Sequence, residues 1–329
     1  MVDGGGAGTV VEVQGPGAQL TVEGLTIRNG NRGVHLGTAA KVRLASCEVL
    51  DNVGGSGIVL DERANLTIDG CTIADNSNAI PGGGIRADSR RARITIVGST
   101  LEGNTSLRGG GLFSLGRVHI TDSTVRGNTA VEEGGGVFAN NLQVIRSTVS
   151  GNSANIGGGI ASYFLDRAQV RITDSTISGN SASRAGGIAA QSTLRLDHVT
   201  VANNTAAVRG GGIGTAPAFE QKAIFRGTIL ADNSAPEGAD CDNVKARLFA
   251  GNLIESDTCT KVIAGRSPLL TDDPLLGPLQ NNGGPTETQA LGAGSPAIGV
   301  LTTRSLCRQP DQRGVARAVP CDLGAYEAP

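Results

Sequence analysis

A phrase of about 24 residues recurs along the chain and constrains its fold more than any other feature. The stretch TDSTVRGNTAVEEGGGVF (121–138) returns as IRSTVSGNSANIGGGI (145–160) and as TDSTISGNSASRAGGI (173–188). An asparagine follows the first strand-like half of every copy, at spacings of 24, 28, 24, 24, 28, 24 and 29 residues. These asparagines are Asn52, Asn76, Asn104, Asn128, Asn152, Asn180, Asn204 and Asn233. A period of this length is typical of solenoids, whose repeats contact only their neighbours.

The apolar residues of each repeat predict strands. Ten and eight residues before the asparagine, the side chains are apolar with a polar residue between them, as at Val118 and Ile120. This period of two indicates a strand with one buried face. Further apolar residues lie three before the asparagine and directly after each glycine cluster. We therefore predict a right-handed parallel β-helix with three short strands per coil of about 24 residues. About ten coils, stacked roughly 4.8 Å apart, would form a rod roughly 50 Å long.

The repeated turn residues have a structural interpretation. We expect the asparagines to stack, to hydrogen-bond from coil to coil and to tolerate left-handed backbone at a turn. The predicted ladder comprises Asn76, Asn104, Asn128, Asn152, Asn180 and Asn204. The glycine clusters would allow sharp turns, often at positive φ. The repetition therefore specifies a fold and, by itself, no chemistry.

The repeat weakens near residue 235, which divides the chain into two predicted regions. Residues 1–235 carry the β-helix repeats, and residues 236–329 form an irregular segment rich in proline and glycine. An uncapped solenoid exposes strand edges and core, which favours aggregation. We expect the second region to be a cap, held by disulfides, that covers the last coils or folds back along one face.

Six cysteines indicate an oxidising compartment. Cys47 and Cys71 are one coil apart, within disulfide range, although a stacked pair of buried thiols is the alternative. The irregular region contains two sequence-local pairs, Cys241 with Cys259 and Cys307 with Cys321. Zinc is disfavoured because none of the three histidines has ligand spacing to these cysteines.

Composition excludes several classes of partner. The formal net charge is −2, so nothing marks the chain as a nucleic-acid binder. No apolar stretch approaches the length that spans a bilayer. We expect no cofactor: Asp272 and Asp273 could bind Ca²⁺, but TDDPL favours a turn before Pro274. Because the chain opens like the middle of a repeat, we expect a native signal peptide and an anchor outside this sequence.

The irregular region resembles a known module. Its phrases NNGGPT (281–286), GSPAI (294–298), DQRG (311–314) and CDLGAYE (321–327) are similar to the C-terminal part of bacterial β-helix proteins with a choice-of-anchor Q domain. The resemblance covers roughly residues 240–329 and implies an exported bacterial protein held at the cell surface. It brings no catalytic residues. Two departures, Gly299 in place of an aspartate and Ala318 in place of a proline, could loosen local turns.

Candidate ligand-binding residues lie on outward-facing positions. The column nine before the asparagine contains His119, Arg171 and Arg195, which could bind an acidic sugar chain. After the glycine clusters, Phe113 and Phe138 fall on adjacent coils and could stack on sugars, unless residues near Tyr163 or the C-terminal segment cover them. A column of outward-facing threonines suggests the hypothesis of an ice-binding surface. The neighbouring column is charged and uneven, which disfavours that hypothesis.

Two functions remain open at the level of sequence. The favoured one is a non-catalytic extracellular or cell-surface protein with a structural, adhesive or glycan-binding role. Its partners would be surface polysaccharide or copies of itself. The alternative is a polysaccharide lyase or glycoside hydrolase acting on acidic glycans. A hydrolase requires clustered carboxylates, and a lyase requires Ca²⁺-binding aspartate with an arginine or lysine base, in either case converging in a groove on one sheet. Fold analogy cannot choose between the two functions.

Overall fold

The chain forms a right-handed parallel β-solenoid of about ten coils in the computed structural model. The structure describes residues 1–163, 168–191, 193–215, 221–256, 259–263 and 269–329. Each coil contributes strands to flat faces that run the length of the rod, and almost all strands pair in parallel with those of the next coil. This confirms the fold class that the repeat predicts.

Strands from successive coils form three faces along the rod, named A to C, and five coils add a strand to a fourth, face D. Face A contains the strands with the period-two pattern: Gln19–Glu23, Lys41–Ala45, Asn65–Asp69, Arg93–Val97, the second halves of Leu112–Thr121 and Val137–Ile145, the first halves of Gln169–Ser178 and Thr193–Ala202, then Gln221–Arg226, Val244–Phe249 and Thr260–Ile263. Face B follows it: Val2–Asp3, Thr26–Arg28, Glu48–Leu50, Thr72–Ala74, Thr100–Glu102, Thr124–Arg126, Thr148–Ser150, the second halves of Gln169–Ser178 and Thr193–Ala202, Ile229–Ala231, Asn252–Ile254 and Leu269–Leu270.

The glycine clusters lead into face C, and five coils add a fourth strand. Face C contains Thr9–Val13, Arg32–Leu36, Ile58–Leu60, Ile85–Ala87, the first halves of Leu112–Thr121 and Val137–Ile145, Ile160–Ser162, Ile188–Ala190, Ile213–Gly214 and Cys241–Asp242. Face D, between the asparagine and the glycines, was not expected from the apolar pattern: Thr105–Arg108, Thr129–Glu133, Ser153–Ile156, Ser181–Arg184 and Thr205–Arg209. An antiparallel hairpin, Leu276–Gln280 with Thr288–Leu291, lies in the C-terminal region.

The core is built from the predicted apolar columns in register. On face A, Ile94 pairs with Val118 and Ile96 pairs with Ile120, and all four side chains are at most 1% exposed. Such stacking buries like against like in every coil. At about 25 cal/mol per Å² of apolar surface, these layers supply the main driving force for folding.

The asparagines form the predicted ladder in the interior. Each side-chain amide donates to the Oδ1 of the next asparagine over 2.9–3.0 Å, from Asn52 through to Asn233. That Oδ1 also accepts the backbone N–H of the preceding ladder asparagine. The left-handed residue, however, is the one before the asparagine, such as Gly127 at φ 60°. The expectation that the asparagine itself adopts left-handed backbone is therefore wrong.

The glycine clusters are required by close backbone contact as well as by turns. A Cβ atom on Gly135 would lie 2.4 Å from the carbonyl oxygens of Ser153 and Gly158, which is too close for any side chain. The preceding residue, Gly134, has φ 66° and turns the chain into face C.

A second ladder explains the two repeat-region cysteines, which are buried and not disulfide-bonded. The N–H of Cys47 donates to the Sγ of Cys71 at 3.2 Å, and the N–H of Cys71 donates to Ser99 Oγ at 3.0 Å. Serines continue the same pattern in the next coils: Ser99, Ser123, Ser147 and Ser175. The candidate Cys47–Cys71 disulfide is thus corrected: the Sγ of Cys71 accepts the N–H of Cys47, and the Sγ of Cys47 donates to the carbonyl of Ala45 at 3.2 Å.

The solenoid continues past the boundary at residue 235. Val244–Phe249 pairs with Gln221–Arg226, and Thr260–Ile263 pairs with Val244–Phe249 in turn. The repeat signal is lost there because the position three residues after Ile254, where the next ladder asparagine would stand, is Asp257, although the strands persist. The disulfide Cys241–Cys259 belongs to these last coils, and Cys307–Cys321 belongs to the irregular segment that follows.

The C-terminal segment folds back along face B. It covers a threonine column in the middle of the rod, and the side chains beneath it are 0–2% exposed: Thr148, Thr176 and Thr200. Their hydroxyls bond to the carbonyl of Glu287, the side chain of Gln312 and the N–H of Ala325. The sequence left two arrangements open for this segment, over the last coils or back along one face. The structure shows it folded back along face B.

The two departures from the module's usual pattern are accommodated. Gly299 has φ 67°, in the left-handed region that glycine adopts readily. Its N–H donates to Asp322 Oδ1 at 2.7 Å. The N–H of Ala318 donates to Glu327 Oε1 at 3.2 Å, a bond that proline could not make.

Replacing Asn128 with alanine should destabilise the protein by at least about 3 kcal/mol, because it leaves several buried backbone groups without partners at about 1–3 kcal/mol each. These groups include the N–H of Asn104 and the carbonyl of Leu101. The shift in denaturant midpoint measures the effect. The control is Asn155→Ala, an exposed asparagine on face D. Equal shifts for the two variants would contradict a structural ladder.

Two thiols per chain should titrate after denaturation without reductant, because Cys47 and Cys71 are not bonded. In addition, Cys71→Ser should retain stability, since the hydroxyl can accept the Cys47 N–H. Cys71→Val should cost about 1–3 kcal/mol more, because it removes that acceptor. Finding no titratable thiol would show that the pair is oxidised.

Candidate functional site

The outer surface of face A carries polar columns that the strand register aligns with the rod axis. One column runs Arg93, Arg117, Asn141 and Gln169 in four successive coils. The adjacent column, two residues on, runs Thr95, His119, Gln143, Arg171 and Arg195. The predicted residues His119, Arg171 and Arg195 therefore lie on one face, as the sequence indicated.

Two adjoining grooves lie over these columns. One has a volume of 310 Å³ and extends from Arg117 and His119 to Arg171. The other, of 430 Å³, extends from Arg117 towards Arg63, Arg90 and Arg91. Arg117 and Asn141 line both grooves. Among the described residues that line them, none is a carboxylate. We call this surface the arginine groove; its cations are Arg63, Arg90, Arg91, Arg93, Arg117 and Arg171.

The arginines differ in how they are paired. Arg195 Nε lies 2.8 Å from Asp197 Oδ2, two residues along the same strand. Arg63 and Arg91 approach Glu62 at 3.7 and 3.3 Å. Within the described part of the chain, no ion pair involves Arg93, Arg117 or Arg171. Among the described residues, the central charges of the groove therefore have no acidic partner, whereas Arg195 is paired with a neighbour.

His119 lies inside the groove beside Arg117. Burial, and secondarily the charge of Arg117, lowers the pKa of His119 below its usual value of 6.5. Its imidazole is consequently neutral at pH 7 and can donate or accept one hydrogen bond. Together with Asn141 and Gln143, it offers neutral polar contacts between the charges. This arrangement can bind hydroxyls and anionic groups along an extended ligand.

The two phenylalanines proposed for sugar stacking are buried, so that hypothesis is wrong. Phe113 is 7% exposed and Phe138 is 0% exposed. Their rings stack with centroids 5.1 Å apart, and Tyr163 packs edge-on against Phe138 at 4.8 Å. The side chains do point outward from face C, but residue Tyr163 covers them. Phe164, the neighbouring aromatic, lies outside the described residues.

A second cluster of perturbed groups lies under the C-terminal segment. Arg317 is fully buried and contacts Asp174 at 3.1 Å and Glu327 at 3.2 Å. Burial raises the pKa of Asp174 to about 6, although Arg317 opposes the shift. Strongly shifted groups often mark active sites. Here the three charged side chains are buried between the segment and the rod, so we interpret the cluster as a docking contact.

Sequence reasoning missed Arg93 and Arg117. Both lie eleven residues before their asparagine, at the first face A position. Aligning the repeats on the asparagine therefore already places the two arginines in the same column of adjacent coils. It also missed His35, which contacts Glu12 at 3.3 Å and Asp61 at 3.2 Å on face C. That histidine lies between two surface carboxylates.

Neither a metal site nor a membrane-spanning helix is found among the described residues. No group of three or more His, Cys, Asp or Glu there is arranged to hold a metal ion. Asp273 accepts the N–H of Leu275 at 2.7 Å, which is the turn that TDDPL favoured. Nor does any helix in this part of the chain have the length and hydropathy needed to cross a bilayer.

Comparison with known proteins agrees with the architecture. Residues 5–130 match the family model described as "Right handed beta helix region". A search of curated proteins found no match, and a search of solved structures found none. The chain is thus a parallel β-helix protein by its fold, and the family model supports this assignment over residues 5–130.

The buried His198 should make stability depend on pH. Burial, followed by the charges of Arg317 and Arg226, lowers its pKa from 6.5 to about 3. Because the unfolded chain binds the proton more readily, stability from this group is full above pH 6.5 and is lost as pH falls towards about 3. Asp174, with its raised pKa, acts in the opposite direction between pH 6 and its ordinary value of 3.8.

Comparing the wild type with His198→Asn isolates this effect, because asparagine tolerates the left-handed backbone at this position (φ 53°). The stability advantage of the wild type over the variant should shrink by about 2 kcal/mol between pH 7 and pH 5. Chemical denaturation at both pH values measures it. An advantage that stays constant with pH would refute a buried neutral imidazole.

Proposed function

We propose that this chain is a non-catalytic extracellular or cell-surface protein that binds polysaccharide on face A. The observation that carries the proposal is the arginine groove, an elongated polar surface on a rigid rod. Stacked strands fix the central groove residues Arg93, Arg117 and Arg171, so little ordering of the backbone at these residues is required when a ligand binds. The arrangement suits an extended chain better than a compact small molecule.

The proposed location rests on two further observations. Two disulfides form within the chain, and structural disulfides persist in oxidising environments outside the cytosol. The C-terminal segment also resembles the choice-of-anchor Q module of bacterial surface proteins. Its burial of the face B threonines gives that segment a structural role as a strap along the rod. Adhesion or surface architecture is the role that we infer for such a rod.

The alternative, a polysaccharide lyase or hydrolase, has one observation in its favour. His119 is neutral at pH 7 and lies beside Arg117 in the groove, so it resembles the base of a β-elimination with a cation nearby to hold a uronate carboxylate. A hydrolase requires two carboxylates flanking the bond, and none of the described lining residues supplies one. We therefore favour binding over catalysis.

The test combines a polysaccharide-binding panel with a turnover screen. The wild type should bind at least one polysaccharide while releasing no unsaturated product and no reducing ends, with or without Ca²⁺. Asn141→Trp, which places a bulky side chain where the two grooves join, should weaken binding at least roughly tenfold, or about 1.4 kcal/mol. Sedimentation of the same samples reports whether the rods bind copies of themselves.

The matched control is Asn155→Trp, an exposed asparagine on face D that should bind like the wild type. If no polysaccharide binds, or if both variants bind equally well, the proposed site is wrong. Product formation that His119→Gln abolishes would instead establish the lyase.

A further inference from the structure

We infer that the ligand of the arginine groove is a linear acidic polysaccharide that lies along the rod axis, with its anionic groups spaced by the coils. This inference rests on the proposed function and specifies the chemistry and direction of the ligand. Three features of the groove carry it: a direct stack of like charges, the spacing of those charges, and the neutral coil between them.

The first feature is an unfavourable contact in the protein alone. Arg93 and Arg117 are direct partners on adjacent strands of face A. Like charges directly opposite one another in a sheet are destabilising. Within the described residues, neither arginine has a carboxylate partner. An anion held between the two guanidinium groups would relieve this repulsion, so the pair is suited to binding an anion.

A contrasting pair on the same face shows how repulsion is relieved when no ligand is needed. Arg171 and Arg195 are also direct partners. There, Asp197 lies 2.8 Å from Arg195 and 3.7 Å from Arg226. Among the described residues, this leaves Arg171 without an acidic partner, and Arg171 is the member that lines the groove.

The second feature is the spacing of the cations. Arg93, Arg117 and the strand of Arg171 lie in the first, second and fourth of four successive coils. At about 4.8 Å per coil, the three steps from Arg93 to Arg171 span about 14 Å along the axis. An extended chain of pyranose rings advances by a similar distance per ring as the solenoid does per coil. A polyuronate along the axis would therefore present one carboxylate near each cationic coil.

The third feature is the coil that interrupts the charges. Asn141 and Gln143 occupy the third coil, and Gln169 lies beside Arg171 in the fourth. Amides donate and accept hydrogen bonds, as sugar hydroxyls do. No exposed aromatic ring lines either groove among the described residues, so single-stranded nucleic acid would find no stacking platform. The pattern of cations and amides favours a sugar backbone with carboxylates.

The experiment measures affinity for oligogalacturonates of two to eight residues by titration calorimetry at low salt. Affinity should rise with length until the oligomer spans Arg93 to Arg171, at about four residues, and then level off. Arg117→Gln should weaken binding of the octamer roughly tenfold, which corresponds to losing one charge-assisted hydrogen bond. Binding should also weaken as salt is raised.

Direction along the axis is tested with the two ends of the groove. Arg93→Gln and Arg171→Gln should each weaken the octamer by roughly tenfold, whereas the dimer, which cannot reach both, should lose affinity with at most one of them. The control is Arg126→Gln, which removes the same charge from face B, where Arg126 pairs with Glu102 at 2.6 Å. Thermal melting confirms that each variant is folded, and Arg117→Lys, which retains the charge, should recover part of the affinity.

The outcomes separate this inference from the proposed function. Preference for neutral dextran or xylan, with binding still blocked by Asn141→Trp, would overturn the inference and leave the proposed function intact. Equal binding of an oligothymidylate of matched charge would also overturn it. A length series that is flat beyond the dimer would exclude the axial direction. Absence of binding to every polymer would refute both.

Discussion

The buried asparagine ladder is the interaction on which the rest of the structure depends. At the Gly-Asn corner, the backbone leaves the strand ladders, so its N–H and carbonyl groups need other partners. One amide side chain supplies them for the coil on each side: Asn128 accepts from Asn104 and donates to the carbonyl of Leu101 and to Asn152. Because each rung bonds both neighbours, it fixes coil spacing at this corner, and the faces on either side stay in register.

The ladder also explains why the repeat length can vary. The spacing between Asn76 and Asn104 is 28 residues instead of 24. The four extra residues enter at the turns before and after the face C strand, in 77–84 and 88–92, while the strands of faces A and B keep their pairing. Insertions are thus confined to turns that carry no rung. Arg90 and Arg91, which line the arginine groove, lie in the second of these turns.

The sequence predicted the features that follow from the repeat, namely the strands and their buried faces. It failed for features that depend on contacts with a distant segment. Val118 and Ile120 could be placed in the core because alternation alone determines which way a strand side chain points. The outward direction of Phe113 and Phe138 was equally readable. Their burial was not, because Tyr163 reaches them from an irregular turn.

The C-terminal segment shows the same limit on a larger scale. Gln312 bonds to Thr148 and Thr176, more than 130 residues upstream, and Arg317 bonds to Asp174. No local sequence pattern predicts such contacts. The resemblance of the segment to a known module marked it as one unit, but the face that it covers follows only from the fit between its polar side chains and an in-register threonine column.

For the cysteine pair, spacing was necessary but insufficient, since side-chain direction decides whether a disulfide forms.

In a solenoid, the register that stacks apolar side chains in the core also stacks charged side chains on the surface. Whether the chain places an opposite charge beside such a stack distinguishes a structural charge from one that is available for binding. A cation repeated at one position is stacked on itself every coil, about 4.8 Å apart. Where the charge is structural, the chain supplies an acid nearby, as Asp197 does for Arg195. Among the described residues, Arg93 and Arg117 are stacked without one, although the formal net charge of the chain is −2. This repulsion is left unrelieved at one pair and relieved by Asp197 on the same face, and that contrast is the reason why we propose an anionic ligand for the groove.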